Sequence, residues 1–155
     1  MGYTTDFEGR FKLNKKLDED THNYLCKFSE TRRMKRKFPN NEHGVDGEFF
    51  VDGGGDFGQE HDASVVNYNQ PPKTQPGLWC QWTPSDDGMF IEWNGGEKFY
   101  DYVEWLTYIT KNFLEPKGYK LSGEVFWQGE DSGDRGIIVV LNNQITTKIG
   151  RTVYE

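Results

Sequence analysis

The segment 96–114, GEKFYDYVEWLTYITKNFL, constrains the fold of this chain more than any other segment. Its apolar residues recur every three or four positions, the spacing that places them along one side of an α-helix. That side must be buried, and the aromatic and β-branched runs before and after it are the segments able to cover it. The spacing therefore predicts a central helix at about 96–114, packed on one face of a sheet. The residues of the predicted apolar side are Phe99, Tyr102, Val103, Leu106, Ile109, Thr110 and Phe113.

Alternation of apolar and polar residues predicts the strands of that sheet. The turn Ser85-Asp86-Asp87-Gly88 lies between two short apolar runs and predicts a hairpin in which Trp82 is opposite Ile91. The unbroken apolar run Ile137–Leu141 is typical of a central strand. The predicted strands are 4–13, 78–84, 89–93, 119–130, 137–141 and 145–149, and Glu48–Val51 could form one more.

A second helix is predicted at Asp18–Arg36, with Asp18 as its N-cap and a basic cluster in its last turn. Together these elements predict an α+β fold with a mostly antiparallel sheet of about five to seven strands and two helices. A chain of 155 residues is expected to form a single domain, 1–155. Its least regular part is a long glycine-rich loop region at about 38–76, which is expected to be either functional or poorly ordered.

Composition excludes several classes of protein. The net charge of −7 disfavours general nucleic-acid binding. No stretch is long and apolar enough to span a membrane, and the first ten residues lack the apolar core of a secretion signal, so a cytoplasmic location is expected. Cys26 and Cys80 are expected to be reduced thiols, and the three histidines show no metal-ligand spacing. No metal or cofactor is therefore predicted.

The basic cluster at 32–37 is the first candidate site. Its cations could bind the phosphates of a ligand or an acidic surface of a partner protein. The alternative is that they only complement the dipole at a helix end. The predicted ligand contacts are Arg32, Arg33 and Arg36.

The sheet face opposite the central helix is the second candidate site. Polar groups set among flat rings are what a site for a base or a sugar requires. The alternative is an ordinary solvated face with aromatic cross-strand pairs. The predicted ligand-binding residues on this face are Trp79, Gln81, Glu92, Phe126 and Gln128, with Phe90 and Glu124 beside them.

The acidic turn at 129–136, GEDSGDRG, is the third candidate site. Grouped carboxylates can act as acid and base or bind a divalent cation, although the spacing does not match a calcium-binding EF-hand loop. The alternative is a solvated hairpin turn. Together with two glutamates of the sheet, the candidate catalytic residues are Glu92, Glu124, Glu130 and Asp134.

Four segments of the sequence resemble segments of other proteins: FSETRRMKR, YNQPPKTQPGLWCQW, GGEKFYDYVEWL and GEVFWQGEDSGDRG. They resemble segments of a family of small soluble proteins of bacteria and phages that has no assigned activity. The resemblance covers most of the chain and implies a bacterial or phage setting in the cytoplasm. It implies no fold, cofactor or catalytic residue.

These observations favour a small cytoplasmic binding protein over an enzyme. Its ligand would be a partner protein or a phosphorylated, nucleotide-like molecule. One alternative is a nucleotide-directed hydrolase or transferase that uses the clustered carboxylates. Another is an acidic protein-interaction module or inhibitor.

Overall fold

The computed structural model describes residues 2–38, 43–51, 63–151 and 153. These residues form β1 (Asp6–Leu13), α1 (Glu19–Glu30), β2 (Lys35–Arg36), β3 (Val65–Asn67), β4 (Trp82–Pro84), β5 (Phe90–Trp93), α2 (Tyr102–Ile109), β6 (Leu121–Gln128), β7 (Arg135–Leu141) and β8 (Gln144–Ile149). Six strands make one antiparallel sheet in the order β4-β5-β1-β6-β7-β8, and β2 pairs with β3 separately. The predicted α+β class is confirmed.

The centre of the sheet is the pairing of β1 with β6. It runs in register from Asp6 opposite Gln128 to Leu13 opposite Leu121. Alternate residues of these strands face the core, where Phe11 is fully buried. The residues between them form an outer face that is exposed or half-buried. The alternation predicted for both strands is therefore confirmed.

β7 lies inside the sheet, but only alternate residues of its apolar run are buried. Gly136 is opposite Trp127, and a Cβ at Gly136 would lie 2.3 Å from the Trp127 ring, so this position has no room for a side chain. Ile138 and Val140 continue the buried side. Ile137, Val139 and Leu141 lie on the outer face.

The central helix begins later than the apolar spacing predicts. Lys98 and Asp101 both have φ of 57°, in the left-handed region, so the chain cannot be helical from Gly96 onwards. α2 starts at Tyr102 and is followed by a π-helical turn, Thr110–Leu114, and a 3₁₀ turn, Glu115–Lys117. Gly118, with φ of 79°, then ends the helical region in the way that glycine usually does.

α2 is buried on two sides. Leu106 and Ile109 belong to the predicted apolar side and are buried. Trp105 and Tyr108 fall outside that side, yet their rings pack on Phe28 of α1 at centroid distances of 5.8 and 6.0 Å. α1 therefore provides a second layer of core, built from aromatic pairs.

α1 ends at Glu30, whereas the prediction extended this helix to Arg36. Asp18 is the N-cap, as predicted, and its Oδ2 accepts a hydrogen bond from the Thr21 amide at 3.0 Å. Thr31 has extended backbone angles, φ −103° and ψ 126°, and stops the helix. The basic cluster therefore lies on an extended segment that includes β2.

Two further predictions of strands need correction. Trp82 is opposite Trp93 rather than Ile91, because the four-residue turn lies one residue later in the chain, at 86–89, and the Ser85 amide donates to the Phe90 carbonyl at 2.8 Å. A shift of two residues keeps the paired residues of β4 and β5 on their predicted faces. Glu48–Val51 is not a strand. The triplet Gly53–Gly55 of the glycine-rich region lies outside the described residues.

We expect Leu106→Ala to lower the free energy of unfolding by about 2–5 kcal/mol, because Leu106 is fully buried and its truncation leaves a cavity. Urea unfolding measures the change. Lys111→Ala, at an exposed position, is the control and should change stability by no more than about 0.5 kcal/mol. An equally small effect of Leu106→Ala would contradict the described core.

The pKa of Asp18 is lowered, chiefly by the hydrogen bond from the Tyr119 hydroxyl and then by those from Thr21. Its contribution to stability is therefore present above the pKa of the unfolded chain, about 4, and is lost as the pH falls through the folded pKa. We expect Asp18→Asn to destabilise the protein at neutral pH, and the difference from the wild type to shrink in acid. Asp20→Asn is the control, and urea unfolding across this pH range measures both.

Candidate functional site

The outer face of the six-stranded sheet holds three of the predicted ligand-binding residues: Glu92, Phe126 and Gln128. Cross-strand pairing arranges its side chains in rows. Phe126 is opposite Glu8 on one side and Ile137 on the other. The two rows at this end of the sheet are Glu8, Phe126, Ile137, Lys148 and Asp6, Gln128, Arg135, Gly150.

A cavity of about 680 Å³ lies over these two rows. We call it the Phe126 cavity. Phe126, which is 49% exposed, and the half-buried Ile137 form an apolar patch within it. Charged groups border this patch, with opposite signs on opposite sides. The carboxylates are Asp6 and Glu8 on β1, and the cations are Arg135 on β7 and Lys148 on β8.

The sequence prediction missed Asp6, Glu8, Arg135 and Lys148 as site residues. Their alternation within each strand was visible in the sequence. Their neighbours across the sheet depend on the order of the strands and on the register of β1, β6, β7 and β8, which alternation within one strand does not reveal.

Gln81 and Trp79 do not share this face, contrary to the prediction. Gln81 is buried, and its Oε1 accepts from Trp93 Nε1 at 3.0 Å. Trp79 borders a separate cavity of about 490 Å³, which Tyr100 also lines. The reason is that β4 begins at Trp82, so the alternation of a strand does not apply before it.

The basic cluster turns largely inward. Arg33 and Arg36 are each only 2% exposed. Arg36 Nη1 donates to Ser64 Oγ at 3.0 Å, and its guanidinium lies 4.2 Å from the centre of the Phe50 ring. Arg32, which is half-buried, donates from Nε to the Tyr68 carbonyl at 3.1 Å. These contacts correct the picture of a solvated helix end. They direct the predicted anion-binding arginines towards the chain's own loop.

Arg33 holds that loop through neutral acceptors. Its guanidinium donates to the Phe50 carbonyl at 2.5 Å, the Glu48 carbonyl at 2.7 Å and Gln75 Oε1 at 2.9 Å. It also lies 4.1 Å from the centre of the Phe28 ring, a cation–π distance. Burial lowers the pKa of Arg33 to about 10, so the group remains charged at neutral pH.

The candidate catalytic glutamates of the sheet lie on the two strands that flank β1. Arg10 is opposite Glu124, and it forms an ion pair of 3.7 Å with Glu92 on the other side. One strand between them implies a backbone separation of roughly 10 Å. The guanidinium of Arg10 lies on the Glu92 side of β1, 3.6 Å from the centre of the Phe90 ring, so the two carboxylates are not brought together.

The acidic turn is hydrogen-bonded to the start of the chain. Asp134 accepts from the Tyr3 hydroxyl at 2.7 Å and from Trp127 Nε1 at 3.0 Å. Glu130 accepts from the Thr4 amide. These bonds give both candidate catalytic carboxylates a structural role in joining the N-terminal segment to the turn.

Within the described ranges, no three or more His, Cys, Asp or Glu residues are placed to hold a metal ion. The helices of the same residues include none that is long and apolar enough to cross a membrane.

Comparison with protein-family models, curated proteins and solved structures found no match for this chain. The resemblance to bacterial and phage proteins therefore stays a prediction.

We expect Arg33→Ala to destabilise the protein by at least about 2 kcal/mol, because it removes three hydrogen bonds from a buried charged donor, and such bonds contribute roughly 1.5–3 kcal/mol each. Lys37→Ala is the matched control, since Lys37 belongs to the same cluster and is exposed. Urea unfolding of both variants is the measurement. If Arg33→Ala proved as stable as Lys37→Ala, the buried position of Arg33 would be wrong.

Proposed function

We propose that this protein is a binding protein that holds a phosphorylated, nucleotide-like ligand in the Phe126 cavity. The observation that carries the proposal is an exposed aromatic ring with a pair of cations on one side of it. Bases stack on aromatic rings, and Lys and Arg bind phosphate oxygens. A nucleotide whose base stacks on Phe126 would have its phosphates beside Arg135 and Lys148.

The carboxylates on the other side of the cavity fit the same ligand. Asp6 and Glu8 accept hydrogen bonds when ionised, and the hydroxyl groups of a sugar donate them. A ligand that was only an anion would be repelled by these two side chains. The site therefore favours a molecule with a flat ring, hydroxyl groups and phosphate over a simple anion.

This proposal keeps the ligand class expected from the sequence but changes the residues that bind the phosphate. The guanidiniums of Arg33 and Arg36 are buried and hydrogen-bonded within the chain. Arg135 and Lys148 take their place, because both line the cavity that contains Phe126.

The proposed role is to bind the ligand rather than to hydrolyse it. General acid–base catalysis requires carboxylates within reach of the same reacting group. Glu92 and Glu124 lie on strands that β1 separates, and Glu92 is paired with Arg10, whereas Glu130 and Asp134 accept hydrogen bonds from the chain itself. The geometry thus supports the binding hypothesis better than the hydrolase or transferase alternative.

A partner protein on the same face is the second candidate, because the apolar surface extends beyond the cavity. Val139 and Leu141 continue the column of Ile137 on β7, and Leu141 is 66% exposed. A nucleotide in the Phe126 cavity would not cover them, whereas a protein surface would.

The test is calorimetric titration of the wild type with mononucleoside mono- and triphosphates, free nucleosides and inorganic phosphate. We expect binding of a nucleotide, weaker binding of the nucleoside, and an affinity that falls as salt rises. Phe126→Ala and Arg135→Ala/Lys148→Ala should each weaken it tenfold or more, about 1.4 kcal/mol.

Two variants on the same face but outside the cavity are the controls: Phe90→Ala for the ring and Lys12→Ala for the cations. Both should bind as the wild type does. Absence of nucleotide binding by the folded wild type would overturn the proposal. If Leu141→Asp then abolished capture of a partner protein, the second candidate would stand instead.

A further inference from the structure

The two edges of the six-stranded sheet differ in how they are protected. β4 is short, contains Pro84, and lies beside α1, where Ser29 Oγ donates to Thr83 Oγ1 at 3.2 Å. β8 is six residues long, has no proline or bulge, and pairs in unbroken register with β7 on one side. No other described element pairs with its far side. A regular edge of this length, with Lys148 as the one charged residue of β8, can serve as a template for another strand.

Hydrogen-bond alternation identifies which backbone groups of β8 point outwards. Leu141 and Gln144 close a two-residue turn, and the Gly150 amide donates to the Arg135 carbonyl at 2.9 Å. Residues paired by hydrogen bonds alternate with residues that are not. Gln144, Thr146 and Lys148 therefore bond to β7, and the N–H and C=O groups of the residues between them point to the open edge. These residues are Ile145, Thr147 and Ile149.

We propose that β8 pairs antiparallel with β8 of a second copy of this chain, about a two-fold axis at Thr147. Thr147 would then lie opposite the partner's Thr147, and Ile145 opposite the partner's Ile149. Each of these pairs has outward-pointing groups on both strands and can exchange two backbone hydrogen bonds. The pairing would join two six-stranded sheets into one continuous sheet.

The side chains of β8 select this register. Centring on Thr147 pairs residues 145–149 of the two copies and places Lys148 opposite the partner's Thr146. Centring on Lys148 instead would put two like charges directly opposite each other, which destabilises a strand pair. Centring on Thr146 would leave Ile149 beyond the pairing.

Apolar packing on the helix side supports a second copy as the occupant. Ile145 packs partly against the core, but Ile149 is 74% exposed. In the Thr147 register Ile149 comes beside the partner's Ile145, and the symmetry repeats this contact. A side chain left exposed in one copy is thus covered by the equivalent strand of another.

The first test uses a pair of variants at the two-fold axis, with sedimentation velocity of the full chain at increasing concentration. We expect the wild type to dimerise. Thr147→Pro should be monomeric, because it removes the outward N–H, which β7 does not use. Thr147→Val keeps this N–H and should dimerise as the wild type does.

The second test is cross-linking, which does not depend on the fold tolerating proline. Thr147→Cys places two thiols in a hydrogen-bonded pair, where Cα atoms are about 5.5 Å apart and a disulfide can form. Mild oxidation should give a covalent dimer. Thr146→Cys is the control, because the two-residue offset puts its symmetry mates about 8 Å apart. Cys26→Ser is included in both, since Cys26 is the partly exposed native thiol.

A wild type that stays monomeric at its highest soluble concentration would overturn the proposal. So would a dimer that persists in folded Thr147→Pro, or equal cross-linking of Thr147→Cys and Thr146→Cys. None of these measurements involves a nucleotide. Their outcome is therefore independent of whether the Phe126 cavity binds one.

Discussion

The rest of the structure depends on the in-register pairing of β1 with β6. Because side chains alternate between faces with a period of two, this register assigns every residue of both strands to the core or to the outer face. Phe11 and Val125 are buried as a result, and Glu8 and Phe126 become neighbours on the outer face. A slip of one residue would bury charges such as Arg10 and expose Phe11. The core and the candidate site are therefore two consequences of one alignment.

Covering the core side of this sheet takes two layers, and the buried charge of Arg33 connects them to a loop. Segment 43–51 is not part of a sheet, so its carbonyl groups have no neighbouring strand to donate hydrogen bonds to them. Backbone carbonyls that become buried nevertheless need a hydrogen-bond donor. The guanidinium supplies donors to Glu48 and Phe50 while its flat side lies on Phe28. This explains how a cluster that looks like a solvated helix end in the sequence becomes part of the interior.

The exposed apolar residues of the outer face have no structural role comparable to that of Arg33. Within the described residues it carries an apolar column on β7 and an exposed ring at Phe126, bordered by separated charges. Apolar groups that stay together at a surface usually mark an interaction site. The proposed nucleotide site and the proposed interface both involve β8 but use different groups of it: the site uses the side chain of Lys148, and the interface uses the outward backbone groups of Ile145, Thr147 and Ile149.

The sequence by itself determined the α+β class, the strands around Phe11 and Val125, the N-cap at Asp18 and one of the two buried sides of α2, because these follow from local periodicity and capping. It also placed Glu92, Phe126 and Gln128 on one face, since alternation is a local property. Only the tertiary structure decided that Gln81 is buried, that Arg33 and Arg36 turn inward, and that Arg135 and Lys148 line the same cavity as Phe126. Those outcomes depend on strand order, register and the path of a loop, and contacts between residues far apart in the chain set all three.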